Sequence, residues 1–358
     1  MRFSRIGASK TAVFGVMLLM LSLSTVANAA SYNVTLLTAD QSGIAAHTDP
    51  NLLNPWGISF SPSGPFWVSD NNSGKSTLYD GTGTPQSTVV TIPSASGVGQ
   101  GVPTGTVYNS TLGFVITKTA KSGPALFMFN SEDGVITGWN PAVDPANAVI
   151  AVNNSSNGDV YKGQEIAQNG SQTFLYNCDF FNARIVVYDS NFHQVTLSGN
   201  FVDPNLPSGY APHNIRNING RLYIAYAKQN ATKTDAVPGR GFGFISVFDL
   251  NGNFLKRLVS MGPLNAPWGL ALAPSTFGTF ANALLIGNFG DGRITAVNPV
   301  TGAPKGQLKD STGKTIVLQG LWGLQFGNGL LGGMKNVLYF TSGPGFYAHG
   351  RFGSITFQ

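Results

Sequence analysis

Short apolar runs recur along the chain in groups of three, and each group opens on a similar phrase. The clearest phrases are Asn-Pro-Trp-Gly at Trp56, Ala-Pro-Trp-Gly at Trp268 and Gly-Leu-Trp-Gly at Trp322. Each phrase leads into an apolar run, and a second and a third run follow after turns rich in Gly, Asn and Asp. Runs of this length, partly alternating and bounded by such turns, predict β-strands. The pattern therefore predicts a chain of small sheets with three or four strands each.

Three weaker copies of the group fill the middle of the chain. Their second runs are predicted at residues 114–118, 174–179 and 222–228, and their third runs at 126–130, 185–189 and 245–249. The residues taken as equivalent at the start of the six groups are Trp56, Thr104, Glu165, His213, Trp268 and Trp322. Their spacings lie between 48 and 61 residues, which is a period typical of propeller blades.

Six such units without helical segments between them predict an all-β, six-bladed β-propeller. The last unit stops after its third strand at Phe357, and an unassigned strand, Tyr32 to Leu37, precedes the first unit. We expect this N-terminal strand to complete the last blade and so to close the ring and cover a sheet edge. The alternative is a mobile tail.

The composition agrees with many short strands. Charged residues make up 10% of the chain, whereas Gly (45) and Pro (20) are abundant; long helices would need more charged residues and fewer turn formers. Cys178 is the only cysteine, so no internal disulfide can form and packing must hold the fold. We expect Cys178 to be a buried, inert thiol rather than a nucleophile.

The N-terminus has the features of a signal peptide. Arg2, Arg5 and Lys10 precede an apolar run from residue 12 to 23, and Ala27-Asn28-Ala29 supplies a cleavage site. We predict a signal peptide at residues 1–29 and a single domain at 30–358, exported to the periplasm or the extracellular medium. Without the segment the formal charge falls from +5 to +2, which argues against nucleic-acid binding. No later apolar run is long enough to span a membrane, and we expect a monomer.

The sequence resembles the six-bladed propellers of the NHL-repeat and gluconolactonase-like superfamily. The motifs are Pro-Trp-Gly, then Trp-Val-Ser-Asp-Asn from Trp67, then Tyr-Asp-x-x-Gly from Tyr79. More narrowly, it is similar to a family of exported bacterial proteins of unassigned function that carry Asn-Pro-Trp-Gly near the N-terminus and Trp-Gly repeats near the C-terminus. The resemblance covers about residues 32–358 and implies a fold and an exported location, but no catalytic residue.

Side chains at the start of the first strand and the end of the second strand of each blade are expected to converge on the channel mouth. The predicted strand-end residues are Asp70, Lys118, Asp179, Lys228, Asn288 and Ser342. We predict a binding site for a small molecule, a carbohydrate or a protein, formed by Trp56, Trp268, Trp322, Lys118, Lys228 and Asn288. The alternative for each Trp is a structural wedge between adjacent blades.

Glu165, Asp179, His213 and Asn214 are the best candidates for ligands of a divalent cation such as Ca²⁺. The resemblance implies that relatives hold an ion in the channel with Glu, Asn and Asp, but this chain cannot be matched to all four ligand positions. The alternative is a polar cluster with water. The leading hypothesis is a non-enzymatic binding module. The alternative is a metal-dependent lactonase or esterase, which requires that a metal is bound at these residues. The sequence leaves open whether the protein is an enzyme.

Overall fold

The computed structural model describes residues 1–4, Gly7 and residues 31–358. The apolar run of the predicted signal peptide lies outside the described residues.

Two short strands come first, and blades 1 to 3 follow. The N-terminal strands are β1 (Tyr32–Ala39) and β2 (His47–Thr48). Blade 1 comprises β3 (Pro55–Phe60), β4 (Phe66–Asp70), β5 (Lys75–Tyr79) and β6 (Pro85–Thr91). Blade 2 comprises β7 (Pro103–Tyr108), β10 (Phe127–Ser131), β11 (Val135–Trp139) and β12 (Val149–Asn153), with an inserted hairpin of β8 (Val115–Lys118) and β9 (Lys121–Pro124). Blade 3 comprises β13 (Tyr161–Asn169), β14 (Gln172–Asp179), β15 (Arg184–Tyr188) and β16 (Gln194–Val195).

The second half of the chain continues the same order from the inner to the outer strand. Blade 4 comprises β17 (Tyr210–Ile218), β18 (Arg221–Lys228), β19 (Gly243–Phe248) and β20 (Phe254–Ser260). Blade 5 comprises β21 (Pro267–Leu272), β22 (Leu284–Asn288), β23 (Ile294–Val297) and β24 (Pro304–Gln307). Blade 6 comprises β25 (Leu321–Phe326), β26 (Leu338–Ser342) and β27 (Arg351–Phe357), followed by β1 and β2. Two 3₁₀ turns, Ser155–Asn157 and Gly278–Phe280, interrupt loops. The predicted six-bladed, all-β architecture is confirmed.

The blades explain why the runs are apolar rather than strictly alternating. A blade has a neighbour on each side, so both faces of its central strands are covered, and β4 is buried at all five positions. The outer strands face solvent, and β24 is exposed at three of its four positions. The core therefore consists of clusters between adjacent sheets.

The N-terminal strand closes the ring, as predicted. Strand β1 pairs antiparallel with β27, with Tyr32 opposite Phe357 and Ala39 opposite Arg351. The Tyr32 hydroxyl also donates a hydrogen bond to the Phe277 carbonyl of blade 5 at 3.1 Å. The two ends of the domain thus form one sheet, which joins the last blade to the start of the chain.

The prediction for blade 2 was wrong in its second and third strands. Residues 115–118 pair with residues 121–124 in the inserted hairpin, and the true second strand is β10, which pairs with β7. The error has a physical cause, because Phe114 directly before the hairpin and Ile116 in its first strand are buried (0% and 3% exposed) and give the segment the pattern of a blade strand. The periodicity of the sequence alone cannot distinguish a strand of the inserted hairpin from a strand of the blade.

Close approach between inner strands requires a residue without a side chain. A Cβ at Gly163 would lie 1.9 Å from Asn214 Oδ1 in blade 4, and one at Gly57 would lie 2.5 Å from the Thr104 carbonyl oxygen in blade 2. Glycine is therefore required at these positions for the blades to meet around the channel. Among the residues that the structure describes, no helix is long and apolar enough to cross a membrane.

Candidate functional site

The strand register defines which residues are equivalent at the start of the inner strands. The six positions are Trp56, Thr104, Lys162, His213, Trp268 and Trp322. Five agree with the prediction, but Lys162 replaces Glu165 in blade 3. The signal that could have found it is the glycine that follows, since Lys162-Gly163 repeats the Trp56-Gly57 pattern.

The register also corrects the residues at the end of the second strands. They are Asp70, Ser131, Asp179, Tyr226, Asn288 and Ser342. The predicted position of Lys118 is wrong because it lies in the inserted hairpin, where its ammonium pairs with Asp144 at 2.6 Å. The predicted position of Lys228 is also wrong, because β18 extends two residues past Tyr226 to Lys228. The Lys228 ammonium lies 4.3 Å from the Phe242 ring centroid.

The three predicted tryptophans meet each other in the channel. Trp56 and Trp322 stack with ring centroids 3.5 Å apart, and Trp268 contacts both edge-on at 6.2 and 6.0 Å. Phe289 stacks on the other face of this group, 4.0 Å from Trp322. We call these four rings the aromatic plug; the tryptophans in it are only 2 to 4% exposed. The predicted clustering of the tryptophans is found, but their faces cover one another rather than standing open.

A buried lysine stands beside the plug. Lys162 is fully buried, its ammonium lies 5.0 Å from the Trp56 ring centroid, and it donates to the carboxylate of Glu132. A second carboxylate, Asp235, lies 3.5 Å away. Glu132 comes from the turn between β10 and β11 and Asp235 from the loop after β18, so the cluster joins blades 2, 3 and 4. A buried ammonium needs such partners, because an unpaired charge is costly to desolvate.

A chain of amides continues from the carboxylates to the plug. Trp322 Nε1 donates to Asn54 Oδ1 at 3.1 Å, Asn54 Nδ2 to Asn71 Oδ1 at 3.3 Å, and Asn71 Nδ2 to Glu132 Oε2 at 2.9 Å. Each group therefore fixes the orientation of the next. Sequence reasoning did not predict Glu132, Asp235 or these asparagines as site residues.

The plug and this polar network border a cavity of about 260 Å³ at the mouth, which we call the mouth cavity. Its lining includes the aromatic residues Trp56, Trp322 and Phe289 and the acidic residues Glu132 and Asp235. The cavity thus combines aromatic carbon with hydrogen-bonding groups, the combination found in sites for small molecules.

A loop of blade 6 forms part of the cavity rim. Phe346 and Tyr347 both have left-handed φ angles, 57° and 70°, which are unfavourable for side chains of this size. Asn72 holds the loop by donating from Nδ2 to the Tyr347 carbonyl at 2.7 Å. Tyr347 stacks on Phe289 at 5.6 Å and is 40% exposed, while Phe346 is 92% exposed. The rim therefore presents two accessible aromatic rings.

The predicted metal ligands do not come together. Among residues 31–358 no group of three or more His, Cys, Asp or Glu side chains is placed to hold a metal. Glu165 accepts hydrogen bonds from two backbone N–H groups, and Asp179 bonds Arg184 Nε at 2.8 Å. His213 Nδ1 lies 2.9 Å from the Pro267 carbonyl, and Asn214 donates to the Trp268 carbonyl at 2.8 Å. Glu165 thus links blades 3 and 4, His213 and Asn214 link blades 4 and 5, and Asp179 bonds within blade 3.

Asn288 and Cys178 are also structural. Asn288 is fully buried and donates to the Arg293 carbonyl and to Thr295, both at 3.1 Å, within blade 5. Burial raises the pKa of the Cys178 thiol well above its usual value, which makes it a poor nucleophile. Burial therefore matches the expectation of an inert thiol, whereas the predicted ligand role of Asn288 has no support from its contacts.

His213 is 1% exposed, and its pKa is lowered from 6.5 to about 3 by burial and by the charge of Lys162. The histidine is neutral in the folded protein at pH 7 and gains a proton more readily when unfolded. Its contribution to stability is therefore complete above pH 6.5 and is lost progressively as the pH falls toward 3.

We expect wild-type protein to lose stability relative to His213→Gln on acidification. The difference in unfolding free energy should change by about 1.4 kcal/mol per pH unit below about pH 6, measured by urea denaturation between pH 7 and pH 5. His193→Gln is the matched control, because the His193 side chain is 78% exposed. Parallel pH profiles for wild type and His213→Gln would contradict the assignment.

A larger cavity of about 640 Å³ lies elsewhere, between the outer parts of blades 1 and 2. It is an open groove bordered by the loop at residues 93–100, Lys75 and Lys118. Lys118 is already paired with Asp144. Residues from distant parts of the chain converge at the mouth cavity rather than in this groove, and size alone does not make the groove the better site.

The fold and the mouth geometry define a six-bladed β-propeller with a plugged channel. The "Uncharacterized protein R648" of Acanthamoeba polyphaga mimivirus is 34% identical over 299 residues, covering 82% of this chain and 73% of that protein. The "Uncharacterized protein L690" of the same virus is 38% identical over 302 residues, covering 82% and 79%. The chain belongs to the same family as these two proteins. No protein-family model matches it. Bacterial origin stays a prediction.

Solved structures support the fold. A streptogramin B lyase is similar with a TM-score of 0.50 and 12% identity, over 92% of this chain and 98% of that one. The PQQ-bound aldose sugar dehydrogenase of Streptomyces coelicolor is similar with a TM-score of 0.52 and 13% identity, over 93% of this chain and 100% of that one. A glucose dehydrogenase is similar with a TM-score of 0.53 and 12% identity, over 90% of this chain and 99% of that one. At these identities the likeness shows the propeller architecture alone.

Proposed function

We propose that this protein is a binding protein whose mouth cavity holds a small, hydroxyl-rich ligand such as one sugar ring or the end of a glycan. The observation that carries the proposal is the convergence of Trp322, Glu132 and Asp235, from three different blades, on one cavity of about 260 Å³. This volume is just below the roughly 300–1,000 Å³ of sites for drug-sized ligands. A ligand of one ring suits it.

The chemistry of the walls favours hydroxyl groups. Carboxylates accept hydrogen bonds from hydroxyls, and the Asp235 side chain is 63% exposed and only loosely held by Lys162. The accessible ring of Tyr347, which borders the same cavity, offers a flat apolar surface. A sugar has both a polar edge and an apolar face, so it can contact the carboxylate and the aromatic ring at once.

The alternative of a metal-dependent hydrolase has less support. That hypothesis needs Glu165, Asp179 and His213 in one site, and each of them is engaged in a different network. Export is part of the proposal, supported by the cations and the apolar run at the N-terminus. A glycan-binding role would suit an exported protein.

Isothermal titration calorimetry with D-glucose, D-galactose and D-mannose tests the proposal. We expect saturable binding of at least one sugar and a loss of about tenfold or more in affinity for Asp235→Asn, because a hydrogen bond to a charged acceptor contributes about 1.5–3 kcal/mol. Tyr347→Ala should also weaken binding. Asp310→Asn is the control, since Asp310 lies in the loop after β24 and does not border the mouth cavity. Equal affinities of wild type and Asp235→Asn would contradict the site, and no saturable heat with any sugar would contradict the ligand class.

A further inference from the structure

The opposite end of the channel contains a second cavity. It has a volume of about 240 Å³ and is bordered by inner-strand residues of blades 1, 2, 3, 4 and 6. Its polar side chains include Ser59, Thr106, Glu165, Arg216 and Gln325. Glu165 and Arg216 are each three residues beyond the ring positions Lys162 and His213, which places them about 10 Å further along the channel. We call this the distal cavity.

Both carboxylate oxygens of Glu165 accept hydrogen bonds from backbone N–H groups and not from Arg216. Its Oε1 accepts from the Ile166 N–H and its Oε2 from the Asn217 N–H, both at 2.9 Å. Burial raises the pKa of Glu165, and the charge of Arg216 and the two N–H groups oppose that rise. Arg216 Nε lies 3.8 Å from Oε2, which is too far for a hydrogen bond. The carboxylate therefore attracts the guanidinium without occupying its donors.

Most donors of Arg216 remain available to the distal cavity. Within the described part of the chain its one hydrogen bond is from Nη2 to Gln325 Oε1. Its side chain is 25% exposed. A guanidinium presents two parallel N–H donors that match the two oxygens of a carboxylate. Apart from the N–H that bonds Gln325, the guanidinium donors of Arg216 have no acceptor among the described residues, which suits the binding of an anion.

Other polar groups border the same cavity as Arg216. The hydroxyls of Ser59 and Thr106 are hydrogen-bonded to each other at 3.2 Å and belong to the wall formed by blades 1 and 2. Arg216 also borders a narrower space of about 20 Å³, lined by Gln164 and Trp268. Trp268 Nε1 and Gln164 Oε1 are buried and have no hydrogen-bond partner in the described residues. A space of this size has room for about one water molecule, which can bond to both atoms, whereas the distal cavity is large enough for a ligand.

We propose that the distal cavity is a second binding site, separate from the mouth cavity, and that it takes a small carboxylate. The two oxygens of the ligand pair with Arg216, and a hydroxyl on the ligand can reach the Ser59 and Thr106 pair. Because Glu165 balances the charge of Arg216, the site favours a monoanion over a dianion such as sulfate, which Glu165 would repel more strongly.

The experiment uses the full chain and isothermal titration calorimetry with sodium L-lactate. L-Lactamide is the matched neutral probe, since it keeps the shape and the hydroxyl but lacks the charge. We expect saturable binding of lactate and none of lactamide. Arg216→Lys keeps the charge beside Glu165 but removes the paired donors, so lactate affinity should fall about tenfold or more. Arg293→Lys, an exposed arginine in blade 5, should bind as wild type does.

A double variant, Arg216→Gln with Glu165→Gln, removes both charges and leaves no buried unpaired carboxylate; it should also lose lactate binding. Thermal melts confirm that the variants are folded. Equal heats with lactate and lactamide, or wild-type affinity in Arg216→Lys, would overturn the proposal. Tighter binding of inorganic sulfate than of lactate would overturn the carboxylate class. These outcomes are independent of sugar binding at the mouth cavity.

Discussion

Replacing Trp322 with alanine is expected to lower the free energy of unfolding by about 3 to 5 kcal/mol, the usual effect of removing a buried aromatic ring. Trp322 is the central ring of the aromatic plug: it stacks on Trp56 at 3.5 Å and on Phe289 at 4.0 Å. Its loss also leaves Asn54 Oδ1 without the indole N–H donor. Urea denaturation monitored by circular dichroism measures the change.

Trp322→Phe provides the comparison. Phenylalanine keeps much of the stacking and loses the N–H, so its cost should be clearly smaller than that of alanine. Val300→Ala is the surface control, because Val300 is 66% exposed. A change of less than about 1 kcal/mol for Trp322→Ala would mean that the rings at the channel do not hold the inner strands together.

The second large effect is expected for Lys162→Met, which should cost about 3 kcal/mol. Methionine keeps the apolar stem but removes the ammonium that pairs with Glu132 and faces Trp56. Breaking a buried ion pair on one side costs about 3–5 kcal/mol because a charge is left without its partner. We expect the low end because the Glu132 side chain is 24% exposed. Urea denaturation at pH 7 tests the value.

The double variant Lys162→Met with Glu132→Gln separates charge from packing. Removing both charges should recover part of the stability that Lys162→Met loses, because no unpaired carboxylate remains. Asp310→Asn again serves as the surface control. Strict additivity of the two single changes would show that Lys162 and Glu132 do not interact, and would contradict the ion pair.

The fold follows from the sequence because each blade repeats one local pattern. The Trp-Gly phrases at Trp56, Trp268 and Trp322 mark the inner strands, and the spare strand from Tyr32 matches the missing edge of the last blade. Blade 2 was mispredicted because the inserted hairpin at residues 115–124 buries Ile116 and so imitates a blade strand. Local pattern specifies strands, whereas partner choice depends on contacts that are distant along the chain.

The candidate site was only partly predictable, for a related reason. The tryptophans lie on inner strands, where register fixes their direction, and the repeat reveals them. Glu132 and Asp235 lie in a turn and a loop, which carry no periodic signal, and only the folded ring brings them to Lys162. Lys162 itself could have been found from Gly163.

The predicted metal ligands lie in separate hydrogen-bond networks because their side chains point in different directions. Asp179 ends a second strand, and its carboxylate accepts hydrogen bonds from Arg184 on the adjacent strand and from Asn182. Glu165 is on an inner strand, but it lies three residues beyond Lys162, the position equivalent to His213. A sequence alignment places residues on a strand, but the pleat and the bulge at the strand start decide which way they face.

A crystal structure of the protein soaked with the tightest-binding of the three sugars tests the central claim most directly. We predict density for one sugar ring in the mouth cavity, with hydroxyls within hydrogen-bond distance of the Asp235 carboxylate and the ring against Tyr347. Sugar density confined to the groove between blades 1 and 2, with the mouth cavity empty of sugar, would contradict the account.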